Sequence, residues 1–534
     1  MVISKDIIKL VKTYNKANLI NILNHIQQKE GFLSEKNIEY ISKELSMPMA
    51  RIYEMASFYS FFSFEKKGKH TIRICNSPSC YMNNSANILK AIEKTIGLKS
   101  GEYNNIFDFE IAQCIGCCDE SPAMLVDGIS YTKLTNAKVI EILNNIKSGK
   151  KTKSINYTGK PPGEHAMNIL HKTNFMSLKK AKSMSPENII KKVKKSGLTG
   201  RGGAGFSTGL KWEFVNKTGK EGTLICNFDE GEPGTFKDKF IVINNTETLI
   251  EGIAIASYAL KCRHAYIYMR GEYDYLKGKL QETINSSKKN LDGLEIEIIE
   301  GAGAYICGDE TSIMNSIEGK AGHPRHKPPY PAQSGLWQTP TAINNVETLI
   351  NTALLFCEGW NNDSRLFCVS GDVEEGGVFE EKTGLSFKEL IGKAKPKEKV
   401  KALFLGASGG CIPYDANSCF DYDKIKQKGA SLGSCTIIVV DKNTGIVELC
   451  KNITAFFVHE SCGKCTPCRE GNYRILELLE KITSGEGTKQ DLLLIEELCD
   501  FIKTTSFCPL GQSSCNNLSG ALKYFRREFE RLCK

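Results

Sequence analysis

Apolar side chains recur every three or four residues through the first 65 positions, which is the spacing of amphipathic helices. Ser46 followed by Pro48 is typical of a helix start. The pattern predicts a small helical bundle over residues 1–65. The residues that share helical faces are Ile7, Ile8 and Val11; Leu19, Ile22, Leu23 and Ile26; and Ile38, Ile41 and Leu45.

The pattern changes over residues 66–152, where strand-like stretches alternate with helical spacing. Residues 71–74, 107–111 and 124–126 have the composition of strands, and residues 88–96 have the spacing of a helix. Mixed elements in so short a stretch predict a compact α/β domain.

The rest of the chain divides into four stretches. Residues 153–185 are polar and lysine-rich and predict a linker; residues 186–365 predict a larger α/β domain, residues 366–440 a small β-rich domain and residues 441–534 a helical domain. No stretch approaches the roughly 18 apolar residues of a membrane helix. Because the start also lacks a signal-peptide pattern, we expect a cytoplasmic protein that meets a membrane only through a complex.

Charge and cysteine content narrow the function classes. The net charge of +9 comes mostly from lysine, and the clearest lysine run, at residues 147–153, has no interleaved aromatic residues. We therefore expect a solvated surface and no nucleic-acid partner. The 21 cysteines are not expected to form disulfides in a chain without a secretion signal. Two groups of them have the spacing of metal ligands.

The first group lies in the predicted compact α/β domain. Four residues separate Cys75 from Cys80, and three separate Cys114 from Cys118, with Cys117 as an extra thiol. Four thiolates that arrive as two loop pairs suit a [2Fe–2S] cluster, in which each iron takes two sulfurs. A structural zinc ion is the alternative, although zinc favours pairs separated by two residues.

The second group lies in the predicted helical domain. Cys462, Cys465 and Cys468 follow a C-x2-C-x2-C spacing, and the remote Cys508 is followed by Pro509. Three closely spaced thiolates and one distant, proline-flanked thiolate predict a [4Fe–4S] cluster.

Glycine-rich and carboxylate-rich loops follow the linker. Residues 200–206 read G-R-G-G-A-G-F, and such glycines let backbone N–H groups approach a phosphate. Residues 189–193 before them have helical spacing, so this motif alone does not separate a nucleotide site from a plain glycine-rich turn. Loops rich in Gly, Asn and carboxylates recur at residues 227–234, 301–311 and 344–348. Such loops at strand ends form ligand crevices in α/β sheets.

The N-terminal motifs carry a first family resemblance. The aromatic run at residues 58–63, the strand that enters Cys75 and the Cys-Ile-Gly before Cys118 resemble the thioredoxin-like two-iron subunit of respiratory complex I over residues 1–150. The resemblance implies that Cys75, Cys80, Cys114 and Cys118 are the cluster ligands. Cys117 stands where the family usually has a small residue, and it is the alternative to Cys118.

Five motifs in order carry a second resemblance, over residues 195–534. They resemble the FMN- and NADH-binding subunit of complex I and its relatives in NAD-linked hydrogenases and formate dehydrogenases. The resemblance assigns the four-iron cluster to Cys462, Cys465, Cys468 and Cys508. It implies that FMN is held by Gly202, Gly203, Gly205, Asn227, Asp229, Tyr305, Gly308, Ile343, Asn344 and Asn345. It implies that NADH stacks over the flavin with its adenine between Phe206, Phe214 and Tyr330, near Glu232, Glu310 and Lys327. Lys211, Glu230 and Asp309 complete the predicted cofactor-binding set.

The two resemblances together imply a multidomain α/β fold. A helical N-terminus and a thioredoxin-like ferredoxin domain would precede a Rossmann-like FMN domain, a β-grasp insert and a C-terminal helical bundle. Three residues depart from the family pattern: Asp309 replaces a usual Glu, Tyr330 replaces a usual Phe, and Phe228 replaces a small residue. The first two keep the charge or the ring, whereas Phe228 adds bulk close to the predicted flavin pocket.

These features predict an NADH-oxidising enzyme. NADH gives a hydride to FMN, which converts a two-electron step into single-electron steps for the clusters, so no side-chain acid or base is required. The expected partners are other redox subunits, such as an iron–sulfur subunit, in a complex I arm, a hydrogenase, a formate dehydrogenase or an electron-bifurcating assembly. A non-catalytic electron-transfer or scaffold subunit is the alternative.

Overall fold

The computed structural model describes residues 7–8, 11, 19–150 and 167–534. The N-terminal region forms helices α1 (Leu19–Glu30), α2 (Glu35–Glu44) and α3 (Met49–Phe58). Ser34 caps α2 by accepting the N–H of Asn37 (3.3 Å). Pro48 directly precedes α3, which confirms the predicted helix start. The apolar faces of these helices are buried in one core with residues from the central and C-terminal parts of the chain.

Residues 70–147 form a small α/β unit. Its elements are β1 (His70–Cys75), α4 (Pro78–Met82), α5 (Ser85–Ile96), β2 (Phe107–Ala112), β3 (Met124–Val126), β4 (Ile129–Tyr131) and α6 (Asn136–Lys147). The sheet has the order β2-β1-β3-β4; β1 pairs in parallel with β2 and antiparallel with β3. Helices α5 and α6 bury their apolar residues against this sheet. The strands and the helix predicted from the pattern are confirmed.

The central region is built on a second, fully parallel sheet. Its elements are α7 (Met176–Lys182), α8 (Pro186–Lys195), α9 (Thr208–Asn216), β5 (Thr223–Phe228), α10 (Lys237–Ala259), β6 (His264–Met269), α11 (Lys277–Ser287), β7 (Glu295–Glu300), α12 (Glu310–Ile317), β8 (Thr341–Asn345) and α13 (Val346–Leu354). The strand order is β7-β6-β5-β8. Helix α10 is buried along most of its length, so it is the central helix of this region.

In its second half, the stretch predicted to be a linker, residues 153–185, packs against the central region. Its first part lies outside the described residues, but residues 167–182 pack on α10. Asn245 Nδ2 donates to the carbonyls of Ile169 and His171 (both 3.0 Å). Glu251 accepts the N–H of Leu178 (2.7 Å). The frequent lysines made this stretch look polar in the sequence, but it has an apolar face that is buried against α10.

A small mixed sheet and a helical region complete the chain. The sheet region contains β9 (Ser364–Gly371), β10 (Gly377–Lys382), α14 (Phe387–Lys393), β11 (Val400–Phe404), β12 (Cys411–Pro413), α15 (Tyr422–Gln427) and β13 (Thr436–Asp441). The strand order is β10-β9-β13-β11-β12, and only the pair of β9 and β13 is parallel among these described strands.

The C-terminal region is helical, as predicted. It contains α16 (Ile446–Glu460), α17 (Thr466–Thr483), α18 (Lys489–Thr505), α19 (Pro509–Ser513) and α20 (Asn516–Glu530). Thr488 and Asp491 form a capping box at the start of α18. In the described parts of the chain, no helix combines the length and the apolar character needed to cross a membrane.

Candidate functional site

The loops that follow β5 and β8 meet at the carboxyl ends of these strands, and we refer to this region as the cleft. These strands are parallel neighbours, and Asn227 at the end of β5 is in register with Asn345 at the end of β8. The pairing therefore brings together two motifs that are far apart in sequence, as expected of strand ends in an α/β sheet.

The glycine-rich loop, residues 200–206, borders this cleft. The N–H of Gly200 donates to the carbonyl of Phe206 (2.8 Å) and closes the loop. Gly203 and Gly205 have φ angles of 117° and 66°, a region that favours glycine. A Cβ added to Gly202 would lie 3.3 Å from Cβ of Asn345, whereas one on Gly205 would meet nothing within 4 Å. One side of the loop thus packs on the end of β8, and the other borders open space.

Asp229 supplies a buried polar atom without a partner. Asn227 Nδ2 donates to the carbonyl of Gly308 (2.8 Å), and its Oδ1 accepts the N–H of Asp229 (3.0 Å). Among the described residues, no donor reaches the buried Oδ2 of Asp229. Burial raises the pKa of this carboxyl well above its usual range. Because buried polar atoms are normally satisfied, the site fits a ligand that carries hydroxyl groups.

Helix α9 delivers two side chains to the end of β8. Trp212 Nε1 donates to Asn344 Oδ1 (2.9 Å), and Lys211 Nζ donates to the carbonyl of Ile343 (3.0 Å). Burial lowers the pKa of Lys211, and the charge of Glu310 offsets only part of this effect. Lys211 therefore brings a cationic group to the cleft, which suits an anionic ligand group such as a phosphate.

The amide of Asn345 is engaged within the protein. Its Nδ2 donates to Asp238 Oδ2 (2.5 Å), and its Oδ1 accepts the N–H of Glu347 (3.0 Å) at the start of α13. Lys237 lies buried between Asp238 (2.8 Å) and Glu347 (3.0 Å). The side chain of Asn345 therefore holds the end of β8 in place.

Three predicted nucleotide-binding aromatic residues are exposed. Phe206, Phe214 and Tyr330 have 46%, 44% and 55% of their surface accessible, which is unusual for rings of this size. Lys211 and Phe214 lie three residues apart on α9 and therefore share one face. Glu310 forms an ion pair with Lys327 and lies 3.7 Å from Lys211. These charges link α9, α12 and the loop that carries Tyr330.

Two predicted cofactor residues make capping hydrogen bonds. Glu230 accepts the backbone N–H groups at the start of α10 (2.7 and 3.0 Å). Burial and the charge of Asp238 raise the pKa of Glu230 to about 8. Asp309 Oδ1 accepts backbone N–H groups in the first turn of α12 (2.9 and 3.1 Å). Both carboxyls thus fix loop-to-helix junctions next to the cleft.

Glu232 and Tyr305 connect the cleft to the other regions. Glu232 Oε1 accepts the N–H (3.0 Å) and the hydroxyl (2.6 Å) of Ser408 from the small mixed sheet. The hydroxyl of Tyr305 donates to Glu232 Oε2 (3.4 Å), and its backbone N–H donates to Glu460 of α16 (2.9 Å). Burial raises the pKa of Glu232.

The four predicted two-iron ligands are buried together. Cys75 ends β1, Cys80 lies in α4, and Cys114 and Cys118 lie after β2; each is at most 4% exposed. Sγ of Cys114 and Sγ of Cys118 are 3.3 Å apart, and the thiol of Cys75 contacts those of Cys80 and Cys114. In the described chain, no three or more His, Cys, Asp or Glu side chains are arranged to hold one metal ion. The thiol contacts join the two loop pairs, and a two-iron cluster takes two sulfurs for each iron.

Cys117 also lies near the predicted ligands, in a buried cluster with Cys75 and Cys80. Its Sγ lies 3.9 Å from Nζ of Lys239, and its nearest backbone acceptor is the carbonyl of Ile115 (3.9 Å). Cys118, in contrast, contacts Cys114 directly. The geometry therefore supports Cys118 as the fourth ligand.

The central region covers the two-iron site. The N–H of Gly234 donates to Sγ of Cys118 (3.3 Å), and Arg270 Nη2 donates to the carbonyl of Cys114 (2.6 Å). A Cβ on Gly116 would collide with the ring of Tyr273 (2.7 Å). The site is thus shared between two parts of the chain.

The predicted four-iron ligands lie at helix starts. Cys465 and Cys508 directly precede α17 and α19, and Cys468 lies in the first turn of α17. A Cβ on Gly511 would lie 3.1 Å from Cβ of Cys468, so the loop of Cys508 packs directly on α17. Cys508 also lies close enough to Cys462 for their charges to interact. The fold therefore brings the remote cysteine to the C-x2-C-x2-C motif.

Three family models match separate parts of the chain. The Nuo51 FMN-binding domain matches residues 193–353. The thioredoxin-like [2Fe-2S] ferredoxin matches residues 4–147. The iron–sulfur binding region of NADH-ubiquinone oxidoreductase F matches residues 448–532.

Two curated relatives align with this chain over most of their own length. NAD-reducing hydrogenase HoxS subunit alpha of Cupriavidus necator is 33% identical, over 96% of this chain and 91% of its own. The F 2 subunit of NADH-quinone oxidoreductase in Rhizobium meliloti is 43% identical, over 66% of this chain and 91% of its own. The chain belongs to this family of flavin- and iron–sulfur-binding oxidoreductase subunits. A crystal structure of NAD+-reducing [NiFe]-hydrogenase in the H2-reduced state matches with a TM-score of 0.90 at 29% identity, covering 98% of this chain and 93% of that one.

This flavoprotein subunit is thus a multidomain α/β protein. It has a thioredoxin-like [2Fe–2S] ferredoxin domain, an FMN-binding domain and a C-terminal helical [4Fe–4S] region. The fold and cofactor predictions are confirmed at this level.

Phe228, the departure from the pattern of this flavoprotein family, does not enter the cleft. It is fully buried, and its ring lies 5.4 Å from that of Tyr273. Along β5 it points to the opposite face from Asn227. The phenylalanine ring shares a buried core with Cys114 and Cys118, beside the two-iron site.

Sequence reasoning missed the residues of this flavoprotein subunit that support both sites. Lys237, Asp238 and Lys239 are buried at the start of α10, and Arg270 is buried after β6. One signal was available, because Phe236 and Phe240 flank these three charged residues and predict burial of the whole run.

Proposed function

We propose that this chain oxidises NADH and passes the electrons through its iron–sulfur clusters to other subunits of a redox complex. The observation that carries the proposal is the cleft at the ends of β5 and β8. It combines the glycine-rich loop, a Lys211–Glu310–Lys327 charge network and exposed aromatic rings, in a chain that also has both cysteine sites.

The residues of the cleft fit FMN. When bound, FMN accepts a hydride from NADH and releases the electrons one at a time. The open side of the glycine-rich loop and the ammonium of Lys211 would hold its phosphate. Asp229 Oδ2, for which the described residues provide no partner, would bind a hydroxyl of the sugar-alcohol chain. Asn227, Glu230 and Asp309 keep the surrounding loops in place.

The exposed rings fit the nucleotide. Stacking of a base on an aromatic side chain contributes about 1–3 kcal/mol. Phe206, Phe214 and Tyr330 would provide such a surface for adenine next to the cleft. No proton moves to a side chain in this proposal; the chain binds and orients the two reactants.

We also propose a division of the chain that follows its sheets. Residues 66–152 form the ferredoxin domain after a helical segment at 1–65; residues 186–365 form a Rossmann-like FMN domain, supported by the four parallel strands. Residues 366–440 form a β-grasp insert, supported by its mixed five-stranded sheet with α14, and residues 441–534 form the four-iron domain.

The presence of the two-iron domain and the flavin domain in one chain favours one kind of host complex. The hydrogenase alpha subunit aligns with 96% of this chain, two-iron domain included, whereas the NADH-quinone oxidoreductase relatives of Rhizobium meliloti and Aquifex aeolicus align with 66% and 70%. We therefore propose a complex like an NAD-linked hydrogenase as host, in which the same cleft serves NAD reduction or NADH oxidation. Identification of the proteins that co-purify with the chain tests this choice.

The purified chain tests the enzymatic proposal. We expect non-covalent FMN, iron for both clusters, bleaching of the flavin by NADH and NADH–ferricyanide activity. Phe214→Ala should raise KM for NADH without loss of FMN, whereas the matched Phe501→Ala on the exposed face of α18 should change neither. FMN that NADH does not bleach would contradict the proposal and favour a scaffold or electron-transfer role.

A further inference from the structure

A buried lysine of the flavin domain lies against the ligand loop of the two-iron site. Lys239, in the first turn of α10, is fully buried. Its Nζ donates to the carbonyl of Gly116 (2.5 Å) and lies 3.9 Å from Sγ of Cys117. Gly116 and Cys117 lie between Cys114 and Cys118 in sequence, so the ammonium touches the loop that carries two of the proposed ligands.

Arg270 is a second buried cation near this loop, and it is paired with a carboxylate. Arg270 donates from Nε (3.0 Å) and Nη2 (2.6 Å) to the carboxylate of Glu272. Asp119, Glu230 and Tyr275 are among the groups close enough to Lys239 for their charges to interact with it. Glu230 directs its oxygens to the backbone N–H groups that start α10.

A buried charge is costly unless other charges compensate it. The [2Fe–2S] cluster with four thiolates is an anion, and its reduction adds one electron without making or breaking a bond. A cation fixed beside the cluster stabilises the reduced form more than the oxidised form, and surrounding charge and hydrogen bonds are known levers on the potentials of such clusters. Since water is excluded here, the charge of Lys239 is weakly screened.

We propose that Lys239, through its charge, raises the reduction potential of the two-iron cluster. The inference rests on the proposed ligand set of Cys75, Cys80, Cys114 and Cys118. It makes a residue of the flavin domain part of the environment that decides how readily this cluster accepts an electron.

The test is a redox titration of the full chain followed by EPR, in wild type, Lys239→Met and Lys239→Arg. The uncharged Lys239→Met should reduce the equilibrium constant for reduction of the two-iron cluster about tenfold, which lowers its potential by about 59 mV. Lys239→Arg should keep the wild-type value. The four-iron potential should not change in either variant.

Lys261→Met is the matched control. Lys261 follows the end of α10 opposite to Lys239, and its side chain is exposed. This control should leave the two-iron potential unchanged. An unchanged potential in Lys239→Met with the cluster intact would overturn the proposal. Loss of the two-iron signal in Lys239→Met but not in Lys239→Arg would also overturn it, in favour of a purely structural role. Absence of a two-iron signal in the wild type would instead refute the proposed ligand set.

Discussion

Glu310 offers a quantitative test of nucleotide choice. Its carboxylate, 30% exposed, forms an ion pair with Lys327 and lies 3.7 Å from Lys211. Burial raises the pKa of Glu310, but the two lysines lower it by more, so the group is ionised at neutral pH. NADPH differs from NADH by a phosphate on the adenosine ribose. Glu310→Gln removes one negative charge next to the proposed nucleotide site and keeps the side-chain shape.

The magnitude follows from the partial exposure of this carboxylate. At a separation of about 7 Å and an effective dielectric of about 40, between the surface value and water, one unit charge contributes about 1.2 kcal/mol. A phosphate with a charge of about −1.5 to −2 therefore loses about 2 kcal/mol of repulsion, or about 30-fold in affinity. At 0.15 M salt, the Debye length of about 8 Å reduces the effect to about fivefold. Lys211 and Lys327 reduce the absolute preference for NADH. They do not alter the change in preference that Glu310→Gln produces, because the electrostatic energies of the charges add.

The assay is kcat/KM for NADH and NADPH with ferricyanide as acceptor, at low salt and at 0.15 M. Glu310→Gln should narrow the preference for NADH mainly by improving NADPH, and more so at low salt. Glu295→Gln is the control, because Glu295 is 74% exposed at the amino end of β7, opposite the cleft. A preference unchanged at low salt, or equal losses with both nucleotides, would refute the role given to Glu310.

Three further substitutions test the rest of the architecture. Cys508→Ser should abolish the four-iron EPR signal and leave the two-iron signal, whereas Cys515→Ser should leave both; two unchanged spectra in Cys508→Ser would remove Cys508 from the ligand set. Gly303→Ala should destabilise the docking of the N-terminal helices by about 1–3 kcal/mol, because the added Cβ would lie 2.6 Å from the ring of Phe61. The measurement is the rate of proteolytic release, which should rise. Gly293→Ala is the control, because Gly293 has nearly the same φ but borders open space, and its rate should not change. Lys237→Met should lower stability by about 3–5 kcal/mol in thermal unfolding followed by flavin release, since it leaves two buried carboxylates unpaired; an unchanged midpoint would argue against that network.

Local spacing allowed much of this protein to be predicted. Apolar periodicity located the N-terminal helices, the strands beside Cys75 and the C-terminal helices, because each pattern reflects one buried face. The stretch after residue 166 packs on α10 although it was predicted to be a linker, because this packing depends on a distant helix that local spacing does not reveal. The roles of the site residues were harder to predict from the sequence. The resemblance named Glu230 and Asp309 as cofactor residues, yet their hydrogen bonds cap helices, and only tertiary structure reveals where a side-chain oxygen points. The burial of Lys239 and Arg270 likewise depends on contacts between distant parts of the chain.

The two-iron site illustrates why the fused chain behaves as one unit. Cys114 and Cys118 pack in the same apolar core as Phe228 and Tyr273 of the flavin domain. Hydrogen bonds from Gly234, Lys239 and Arg270 reach the ligand loop from that domain. The environment of the cluster therefore exists only when the two domains are docked. Covalent linkage makes this docking intramolecular, with an effective concentration in the millimolar range for a short linker. Because the N-terminal helices share a core with the flavin domain as well, docking is secured on two sides, and the potential of the two-iron cluster becomes a property of the whole chain.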